Sequence, residues 1–387
     1  MRLASSRFTF NDTNYNYANA NAGNASHLCN LHKGKDPATW QKIKSLKGVG
    51  RPPPTAPIRK QSMKRIGNIF DQICNPENLY LAYTKAKRGK GKRYGTRLFE
   101  KNLEANLAQL HQELLAGTYR TSEYSVFTIH DPKEREVYRL PFRDRVVHHA
   151  IMNVLEDIWV SIFIQNSYSC IKGRGIHGAV RHLKRDLRDM TGTKYCLKLD
   201  IRKFYPSIDH DVLKSIIRRK IKDVRLLALL DGIIDSAPGV PIGNYLSQFF
   251  ANLYLSYFDH WLKEEKRVKY YYRYADDIVI LSHDKAHLRE LFVEIDTYLR
   301  DKLKLKIKGN YQIFPVDARG IDFVGYVFRH THVLMRKSIK KSLCRKAAKL
   351  NKLNLPEKVR RHLLASHFGW AMHCNAKHLT QTILRHE

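Results

Sequence analysis

The sequence lacks long apolar runs and paired cysteines. In its 387 residues, no apolar stretch approaches the roughly 20 residues of a membrane-spanning helix, and the N-terminus lacks the apolar segment of a secretory signal. None of the six cysteines belongs to a Cys-x-x-Cys pair, which favours reduced thiols in a cytosolic protein over a disulfide framework. His27, Cys29 and His32 lie close together, but without a partner pair they do not predict a zinc site. We therefore expect a cytoplasmic protein with no membrane partner.

Acidic residues are also scarce. The chain has 69 lysines and arginines against 36 aspartates and glutamates, which gives a formal net charge of +33. This excess predicts a polyanionic partner, most simply a nucleic acid, with an anionic membrane surface as the alternative. The length is sufficient for two or three subdomains with a sizeable core.

Two of the few acids are adjacent and interrupt an apolar, aromatic segment at 270–281. The residues before Asp276 and after Asp277 read as buried strands. Burying one unpaired carboxylate is costly, and burying two side by side is worse unless a cation is bound. Because carboxylate oxygens are preferred ligands of Mg²⁺, the pair predicts a metal site. A solvated hairpin tip is the alternative for an isolated pair.

A third acid, Asp200, ends the alternating segment 195–200. If its strand neighbours the later hairpin, Asp200 meets Asp276 and Asp277. Three carboxylates at one point would hold two metal ions about 3.5–4 Å apart, an arrangement that stabilises the attacking and leaving oxygens of phosphoryl transfer. Asp209 also follows the strand, but its spacing predicts a helix cap instead.

Five segments resemble motifs A to E of reverse transcriptases, in the expected order and at family-like spacings. The Tyr-Ala-Asp-Asp box at 274–277 resembles motif C, and the segment 199–205 resembles motif A. Motifs B, D and E are resembled by the segments 239–248, 303–307 and 323–326. The resemblance covers about residues 63–387.

This resemblance implies an α+β right-hand polymerase fold with an antiparallel palm sheet. It places the fingers at 63–190, the catalytic palm at 191–333 and the thumb at 334–387. It also implies an RNA-directed DNA polymerase activity, which is a nucleotidyl transfer.

Residues 1–62 differ from the rest of the chain. Residues 11–24 hold six asparagines and residues 51–57 are rich in proline, a composition that predicts a disordered basic extension. The resemblance implies a sharper hypothesis, because some retroelements with such an enzyme carry a template repeat, a copied segment rich in asparagine codons, which begin with two adenines. Residues 7–30 would then be a translated template repeat. The extension would then be a mis-assigned start, and the working protein would begin at Met63.

Motif B carries a finer resemblance. Group II intron and retroviral enzymes usually read Gln-Gly-x-x-x-Ser-Pro there, whereas this chain has Ile242, Gly243, Ser247 and Gln248. That pattern resembles the bacterial or phage-encoded reverse transcriptases of diversity-generating retroelements, which copy a template-repeat RNA into cDNA with frequent errors at adenines. The alternatives are a group II intron, retron or phage-defence reverse transcriptase, or a catalytically silent RNA-binding scaffold on the same fold.

The resemblance also implies partners and cofactors. The partners would be the template-repeat RNA, the cDNA/RNA hybrid, dNTPs and a small basic accessory variability protein. The cofactors would be two Mg²⁺ ions, with Mn²⁺ as a possible substitute, held by Asp200, Asp276, Asp277 and the carbonyl of Ile201. Lys306 would protonate the pyrophosphate leaving group as a general acid, while a stripe of lysines with Lys304 and Lys308 is the competing interpretation.

The nucleotide site is expected from three segments. Lys133 or Arg135 would lie over the triphosphate, where an arginine fork can bind two phosphate oxygens. The ring of Tyr205 would exclude a 2′-hydroxyl, although either it or the adjacent Phe204 can be the buried, packing ring. Motif B would supply further contacts from Ile242, Gly243 and Gln248. Since retroviral enzymes have glutamine where this chain has isoleucine, and apolar surfaces discriminate weakly, reduced fidelity is predicted.

Contacts with nucleic acid are expected from a loop, a hairpin and a helix. Arg174 lies in a glycine-interrupted basic loop and would contact the template backbone. The motif E residues Phe323, Gly325 and Tyr326 would pack under the primer strand. The basic stretch 335–361 predicts a thumb helix along the duplex, with contacts from Arg336, Lys337 and Lys341. A solvated basic helix is the alternative.

Overall fold

The protein is described by a computed structural model, which covers residues 64–130, 134–353 and 355–385. The predicted extension at 1–62 and the predicted start at Met63 therefore lie outside the described residues. Residues 62–387 form one compact unit. Among the described residues, none of the helices combines the length and the apolar character needed to cross a membrane.

The N-terminal region is mainly helical. Its elements are α1 (Phe70–Cys74), α2 (Pro76–Lys87), α3 (Tyr94–Lys101), α4 (Leu103–Leu115), β1 (Ser125–Ile129), β2 (Arg135–Arg139), α5 (Phe142–Val160) and α6 (Ile176–Asp186). Helix α2 begins where the sequence favours it, since the Asn75 side chain accepts a hydrogen bond from Glu77 N and Pro76 occupies the first turn. On α4 leucines at helical spacing form an apolar face that packs inward, with Leu110 and Leu114 fully buried.

Strands β1 and β2 form an antiparallel hairpin that pairs Val126 with Tyr138. Most of its residues are exposed on both faces. The hairpin therefore obtains little stability from a core of its own and depends on the contacts it makes with the rest of the molecule.

A four-stranded antiparallel sheet lies at the centre. It consists of β3 (Tyr195–Asp200), β4 (Tyr270–Tyr274), β5 (Asp277–Ser282) and β6 (Gln312–Pro315), in the order β4-β5-β3-β6. Side chains alternate along each strand between two different cores. Leu197 and Ile280 pack into one core, whereas Cys196 and Leu281 pack into the other. The sheet is buried on both faces, which explains its nearly continuous apolar strands. The α+β class and the antiparallel sheet predicted from the sequence are confirmed.

Helices cover this sheet on the side of the larger core. They are α7 (His210–Arg218), α8 (Val224–Ile234), α9 (Tyr245–Tyr254), α10 (Ser256–His260) and α11 (Lys285–Leu303). Asp209 caps α7, as the sequence predicted, by accepting a hydrogen bond from Val212 N at 3.0 Å. This larger core is one cluster of buried side chains drawn from segments between Ile69 and Leu305. It therefore contains residues on both sides of the predicted boundary between fingers and palm at 190/191.

A small sheet and three helices complete the described chain. After α12 (Val316–Arg319) come β7 (Ile321–Phe323), β8 (Tyr326–Phe328), β9 (Val333–Met335), α13 (Lys337–Asn351), α14 (Glu357–Ala371) and α15 (Lys377–Arg385). Leu343 and Ala347 of α13 pack against Leu364 of α14 in a separate core, which accords with the helical spacing predicted there. The predicted start of the thumb at residue 334 falls inside β9.

Candidate active site

The sheet register brings the three predicted acids together. Asp200, the last residue of β3, is paired directly with Asp277, the first residue of β5. Asp276 lies in the tight turn that joins β4 to β5. Two adjacent strand ends therefore place three carboxyl groups at one edge of the sheet, as the sequence pattern predicted.

This crowding changes the acidity of the carboxyl groups. Burial raises the pKa of Asp276 to about 7, and the neighbouring Asp200 adds to the rise. Burial likewise raises the pKa of Asp277 to about 6, although the charges of Lys198 and Arg336 oppose the rise. Negative charge at this edge is therefore poorly balanced by the protein itself.

Two lysines flank the carboxyl groups without neutralising them fully. The Lys308 ammonium lies 2.5 Å from Asp200 Oδ2. The Lys198 ammonium lies 3.6 Å from Asp277 Oδ1, a distance too long for a hydrogen bond. Asp200 Oδ1 and Asp277 Oδ1 are buried and make no hydrogen bond with the described residues.

These buried oxygens suit a divalent cation in their chemistry. Hard carboxylate oxygens are the ligands that Mg²⁺ and Mn²⁺ prefer, and two of them here have no hydrogen-bond partner in the described chain. Within the described ranges, however, no group of three or more acidic, histidine or cysteine side chains is already arranged to hold an ion. The donor set fits a divalent metal, while the ligand cage is not closed by the protein alone.

A buried ion pair holds the turn that carries Asp276. Arg273 is fully buried and binds both carboxylate oxygens of Asp259, at 2.7 and 2.5 Å. The same guanidinium donates to the carbonyl of Ala275 at 3.1 Å. Ala275 has φ +55, a conformation that few non-glycine residues adopt, so this hydrogen bond stabilises an unfavourable backbone conformation beside the three predicted acids.

The rest of this ion-pair network is polar and satisfied. Asp259 also accepts hydrogen bonds from Tyr271 at 2.6 Å and from Ser167 at 3.0 Å. Asn252 accepts from Arg273 at 3.2 Å. Sequence reasoning did not identify this network. The available signal was a lone arginine inside the buried aromatic strand β4, which predicts an acid partner but not which one.

The two aromatic residues of the motif A segment have different environments. Phe204 is buried in the larger core, whereas Tyr205 is half-buried and packs at its edge. Burial raises the pKa of the Tyr205 hydroxyl, with smaller contributions from Cys170 and Asp276. Of the two rings, Tyr205 therefore lies nearer the acids and stays partly accessible, while Phe204 is the packing ring.

The motif B segment is a loop held between the motif A turn and the hairpin. Val240 N donates to the carbonyl of Tyr205 at 2.9 Å, and the carbonyl of Ile242 accepts from Tyr138 N at 2.8 Å. The Ile242 side chain is half-buried. Gln248 is exposed on α9, and its side chain makes no hydrogen bond with the described residues.

The predicted triphosphate ligands are only partly described. Arg135 is the first residue of β2 and is exposed, so its guanidinium is available to a ligand. Lys133 lies outside the described residues. The assignment of either residue to the triphosphate stays a prediction.

The motif D segment is not a regular strand. With the described part of the chain it makes a single antiparallel bridge, between Ile307 and Ile201. Lys306 is exposed and forms no ion pair with the described residues, whereas Lys304 binds Asp209 at 2.6 Å and Lys308 binds Asp200. The three lysines thus do not form a uniform stripe, and the one that touches a predicted metal ligand is Lys308, which sequence reasoning did not single out.

The motif E residues contact helix α14, which lies in the predicted thumb. Phe323 and Tyr326 are fully buried in the second core, and Tyr326 donates to the carbonyl of Trp370 at 3.0 Å. Gly325 has φ +89, and a Cβ there would lie 2.4 Å from the Trp370 ring. The close approach that requires this glycine is therefore made by Trp370 of α14, and a contact with the primer stays a prediction.

Arg174 is similarly engaged by the protein. It is half-buried, and its guanidinium donates to the carbonyls of Ile164 and Ser167, the latter at 3.2 Å. This arrangement holds the segment before the basic loop in place. Its predicted contact with the template backbone is untested.

The basic residues expected to contact the duplex lie near the acids, at Arg336, and along α13. Arg336 precedes α13 and binds Asp322 at 2.6 Å. An open surface cavity of about 410 Å³ is lined by Lys337, Lys340, Lys341, Cys344 and Arg345. Four cations around one open surface give a site suited to phosphate groups.

Comparison with known proteins adds independent findings. Residues 130–328 match the family described as reverse transcriptase (RNA-dependent DNA polymerase). Protein YkfC of Escherichia coli K12 is 27% identical over 70% of this chain and 84% of its own length. The group II intron-encoded protein LtrA of Lactococcus lactis is 25% identical over 54% of this chain, but the match spans only 38% of LtrA.

A solved structure is also similar. The apo telomerase of Candida tropicalis has a TM-score of 0.46 and 12% sequence identity, with 68% of this chain and 59% of that chain covered. The family match covers just over half of the sequence and includes the edge of the sheet that carries Asp200, Asp276 and Asp277. The right-hand polymerase fold and the RNA-directed DNA polymerase class predicted from the sequence are thereby confirmed, and this chain belongs to the reverse transcriptase family.

Proposed function

We propose that this reverse transcriptase serves a diversity-generating retroelement, copying a template-repeat RNA into cDNA with errors concentrated at adenines for mutagenic retrohoming. The observation that carries the proposal is the motif B loop, with Ile242, Gly243, Ser247 and Gln248 where intron and retroviral enzymes have a glutamine and a Ser-Pro pair. RNA templates and dNTPs are substrates of the family as a whole.

The position of Ile242 supports a role in nucleotide selection. Its loop is bonded to the Tyr205 carbonyl on one side and to β2, the strand that begins with Arg135, on the other. A half-buried aliphatic side chain offers an apolar contact but no hydrogen bond. Because polar sites reject wrong partners by leaving groups unpaired, an apolar site discriminates less. We infer that Ile242 lowers fidelity; why errors fall at adenine does not follow from this residue.

The acids would bind two divalent ions, Mg²⁺ or Mn²⁺. Asp200, Asp276 and Asp277 supply carboxylate oxygens. The backbone hydrogen bonds of the Ile201–Ile307 bridge use the residues on either side, which leaves the Ile201 carbonyl outside this pairing. When bound, such ions neutralise charge on the attacking and leaving oxygens.

The protein's own groups would supply orientation and proton transfer. Arg273 fixes the turn that carries Asp276, and Tyr205 limits the space at the sugar edge. Exposed Lys306 remains our candidate general acid for the leaving pyrophosphate, which requires it to approach that group when substrate is bound. On the thumb, Lys337 and Lys341 would hold the duplex backbone.

A small basic accessory protein is part of the proposal. Since this chain carries a net charge of +33, two basic proteins would repel unless RNA bridges them. We therefore expect their association to depend on the template RNA and to weaken as salt increases.

The test is to copy the template-repeat RNA with purified protein, dNTPs and Mg²⁺, and to sequence the cDNA. Adenine-biased errors that disappear, together with all cDNA, in an Asp276→Ala variant would support the proposal. Accurate cDNA would overturn the diversity-generating assignment but would still support the RNA-directed DNA polymerase activity. No cDNA, even with the accessory protein added, would favour a silent RNA-binding scaffold.

A second experiment addresses Ile242 directly. Ile242→Gln should lower the misincorporation frequency, because the amide restores a hydrogen-bonding group beside the nucleotide. Ile242→Leu is the matched control, since it keeps an apolar side chain of the same size. Equal error frequencies in both variants would remove Ile242 as the cause.

One observation favours a second candidate function. The similarity to LtrA, a group II intron-encoded protein, extends over 54% of this chain. An enzyme of that type would be expected to copy its RNA accurately. The cDNA sequencing described above therefore separates the two candidates.

A further inference from the structure

Three consecutive residues of the motif B loop contact the exposed hairpin β1–β2 or Tyr124, the residue that precedes β1. The Ile242 carbonyl accepts a hydrogen bond from Tyr138 N at 2.8 Å. Gly243 has φ +123, and a Cβ there would lie 2.3 Å from the Tyr138 carbonyl oxygen. Asn244 Nδ2 donates to the Tyr124 hydroxyl at 2.8 Å. The loop backbone is thus in direct contact with the hairpin, with no space for a larger residue at Gly243.

The Tyr124 hydroxyl is the centre of a directed chain of hydrogen bonds. It accepts from Asn244 and lies 2.8 Å from Ser236 Oγ, which itself donates to the Ile233 carbonyl at 2.6 Å. Since Ser236 uses its own proton on Ile233, Tyr124 donates to Ser236. Every donor in the chain therefore has an acceptor, and the Tyr124 ring also packs edge-on against Tyr138 at 5.6 Å.

The Asn244 side chain binds Tyr124 instead of capping its own helix. It occupies the N-cap position of α9, where an asparagine side chain ordinarily binds the first turn of its own helix. Here its side chain makes no capping hydrogen bond, is buried, and reaches a residue 120 positions away instead. A contact that replaces a helix cap indicates that holding the hairpin and the loop together has a use beyond helix stability.

We propose that Tyr124 and Asn244 are positioning residues for nucleotide selection. They make the hairpin, which carries Arg135, and the loop, which carries Ile242, move as one body. When a triphosphate draws the hairpin inward, Ile242 is brought to the nucleotide in a fixed position. This inference rests on the proposed placement of Arg135 and Ile242 at the nucleotide, but not on the diversity-generating assignment.

The test compares hydroxyl deletions on one hairpin. Tyr124→Phe removes the bridging hydroxyl and keeps the ring. Tyr138→Phe is the matched control, because the Tyr138 hydroxyl is exposed and its hydrogen bond to Glu136 is long and weak, at 3.4 Å. We expect Tyr124→Phe to raise the KM for dNTP and the misincorporation frequency about three- to tenfold, the effect of losing a neutral hydrogen bond, with kcat nearly unchanged. Tyr138→Phe should match the parent in all three.

A second variant and a second measurement keep the outcome independent of folding and activity. Asn244→Ala should reproduce Tyr124→Phe, and the double variant should add little, because both remove the same contact. Hydrogen exchange should become faster at 239–246 in both variants, and not in Tyr138→Phe.

Each outcome decides the matter. Faster exchange with an unchanged KM and error frequency would show a merely structural contact and overturn the proposal. Unchanged exchange and kinetics would overturn it as well. If the parent enzyme copies RNA accurately, the retroelement assignment fails, whereas a raised KM in Tyr124→Phe would still support the positioning role.

Discussion

Acidic residues at one end of the central sheet, and on the helix α10 packed beside it, form two groups whose charges are balanced in opposite ways. Asp259 is completely enclosed, and its charge is matched by Arg273, Tyr271 and Ser167. Asp276 and Asp277 are half-buried, and no described cation pairs closely with either. The paired group holds the backbone, while the unpaired group is where a ligand has to supply positive charge.

The two groups are also physically joined. Arg273 and Asp276 are three residues apart, and the arginine donates to the carbonyl of the intervening Ala275. A satisfied network thus stabilises the strained turn on which the unsatisfied acids sit. A strained backbone and an excess of negative charge persist only where the surrounding structure stabilises them. Here the stabilising element is the ion pair of Arg273 with Asp259.

The largest effect should come from removing an unpaired acid. Asp276→Asn keeps the shape of the side chain but removes its charge, and we expect polymerisation to fall by about a thousandfold or more, since electrostatic stabilisation supplies most of the rate in phosphoryl transfer. The measurement is dNTP incorporation on a primed RNA. Asp186→Asn is the control, because Asp186 is also half-buried but binds Tyr272 away from the site. Comparable activity in the two variants would contradict the assignment.

The next largest effect should come from breaking the paired group. Arg273→Leu leaves Asp259 buried without its partner, and we expect the free energy of unfolding to fall by about 3–5 kcal/mol. Arg300→Leu is the matched control, since it removes an exposed arginine that pairs with Asp296 at 3.3 Å, a contact worth about 0–1 kcal/mol. Urea unfolding measures both. A loss below about 1 kcal/mol in Arg273→Leu would show that the buried pair does not stabilise the fold.

The sequence predicted the unpaired group and missed the paired one, for a physical reason. Asp276 and Asp277 stand out because local hydrophobic patterning places charge between two buried strands. By contrast, the partner of Arg273 is set by how α10 packs on the sheet, a tertiary relation that no local pattern encodes. The contact of Asn244 with Tyr124, 120 residues apart, was invisible for the same reason.

Local rules succeeded where the chemistry was local. Asp209 as a helix cap and a helix within the basic stretch 335–361 followed from local sequence. The alternative of a lysine stripe at motif D assumes the two-residue alternation of a strand, but with the described residues this segment makes one bridge, so that alternation does not describe its three lysines. The bridge between Ile201 and Ile307 aligns the two segments, and this alignment places Lys308 beside Asp200.

A smaller effect should appear in the pH dependence of stability without metal. Burial raises the pKa of Asp276 to about 7, so between about pH 4 and 7 the folded state binds more protons than the unfolded state, and its stability falls as pH rises. Asp276→Asn removes this loss. In EDTA its Tm should exceed that of the parent by about 1–3 °C at pH 8 and by less at pH 5.

The Tm of the variant must be compared with that of the parent at each pH, because two buried histidines change the stability with pH in the opposite direction. Burial lowers the pKa of His148 and His149 to about 3, which makes stability rise with pH toward neutrality in both proteins. The difference in Tm between the variant and the parent cancels that contribution. A difference that shrinks as pH rises would contradict the charge imbalance proposed for the acids.

The smallest effect should come from Lys308, which binds Asp200, the third predicted metal ligand. Lys308 lies 2.5 Å from Asp200 Oδ2, so it both occupies a ligand oxygen and repels an incoming cation. Because the pair is partly exposed, its contribution is modest, and we expect Lys308→Met to lower the Mg²⁺ concentration for half-maximal thermal stabilisation about two- to fivefold. Lys306→Met, which removes an exposed lysine two residues away, should leave it unchanged. If Lys308→Met instead weakened the response to Mg²⁺, the lysine would be supporting the ligand arrangement, and the contrast between paired and unpaired acids would have to include Lys308 as part of the site.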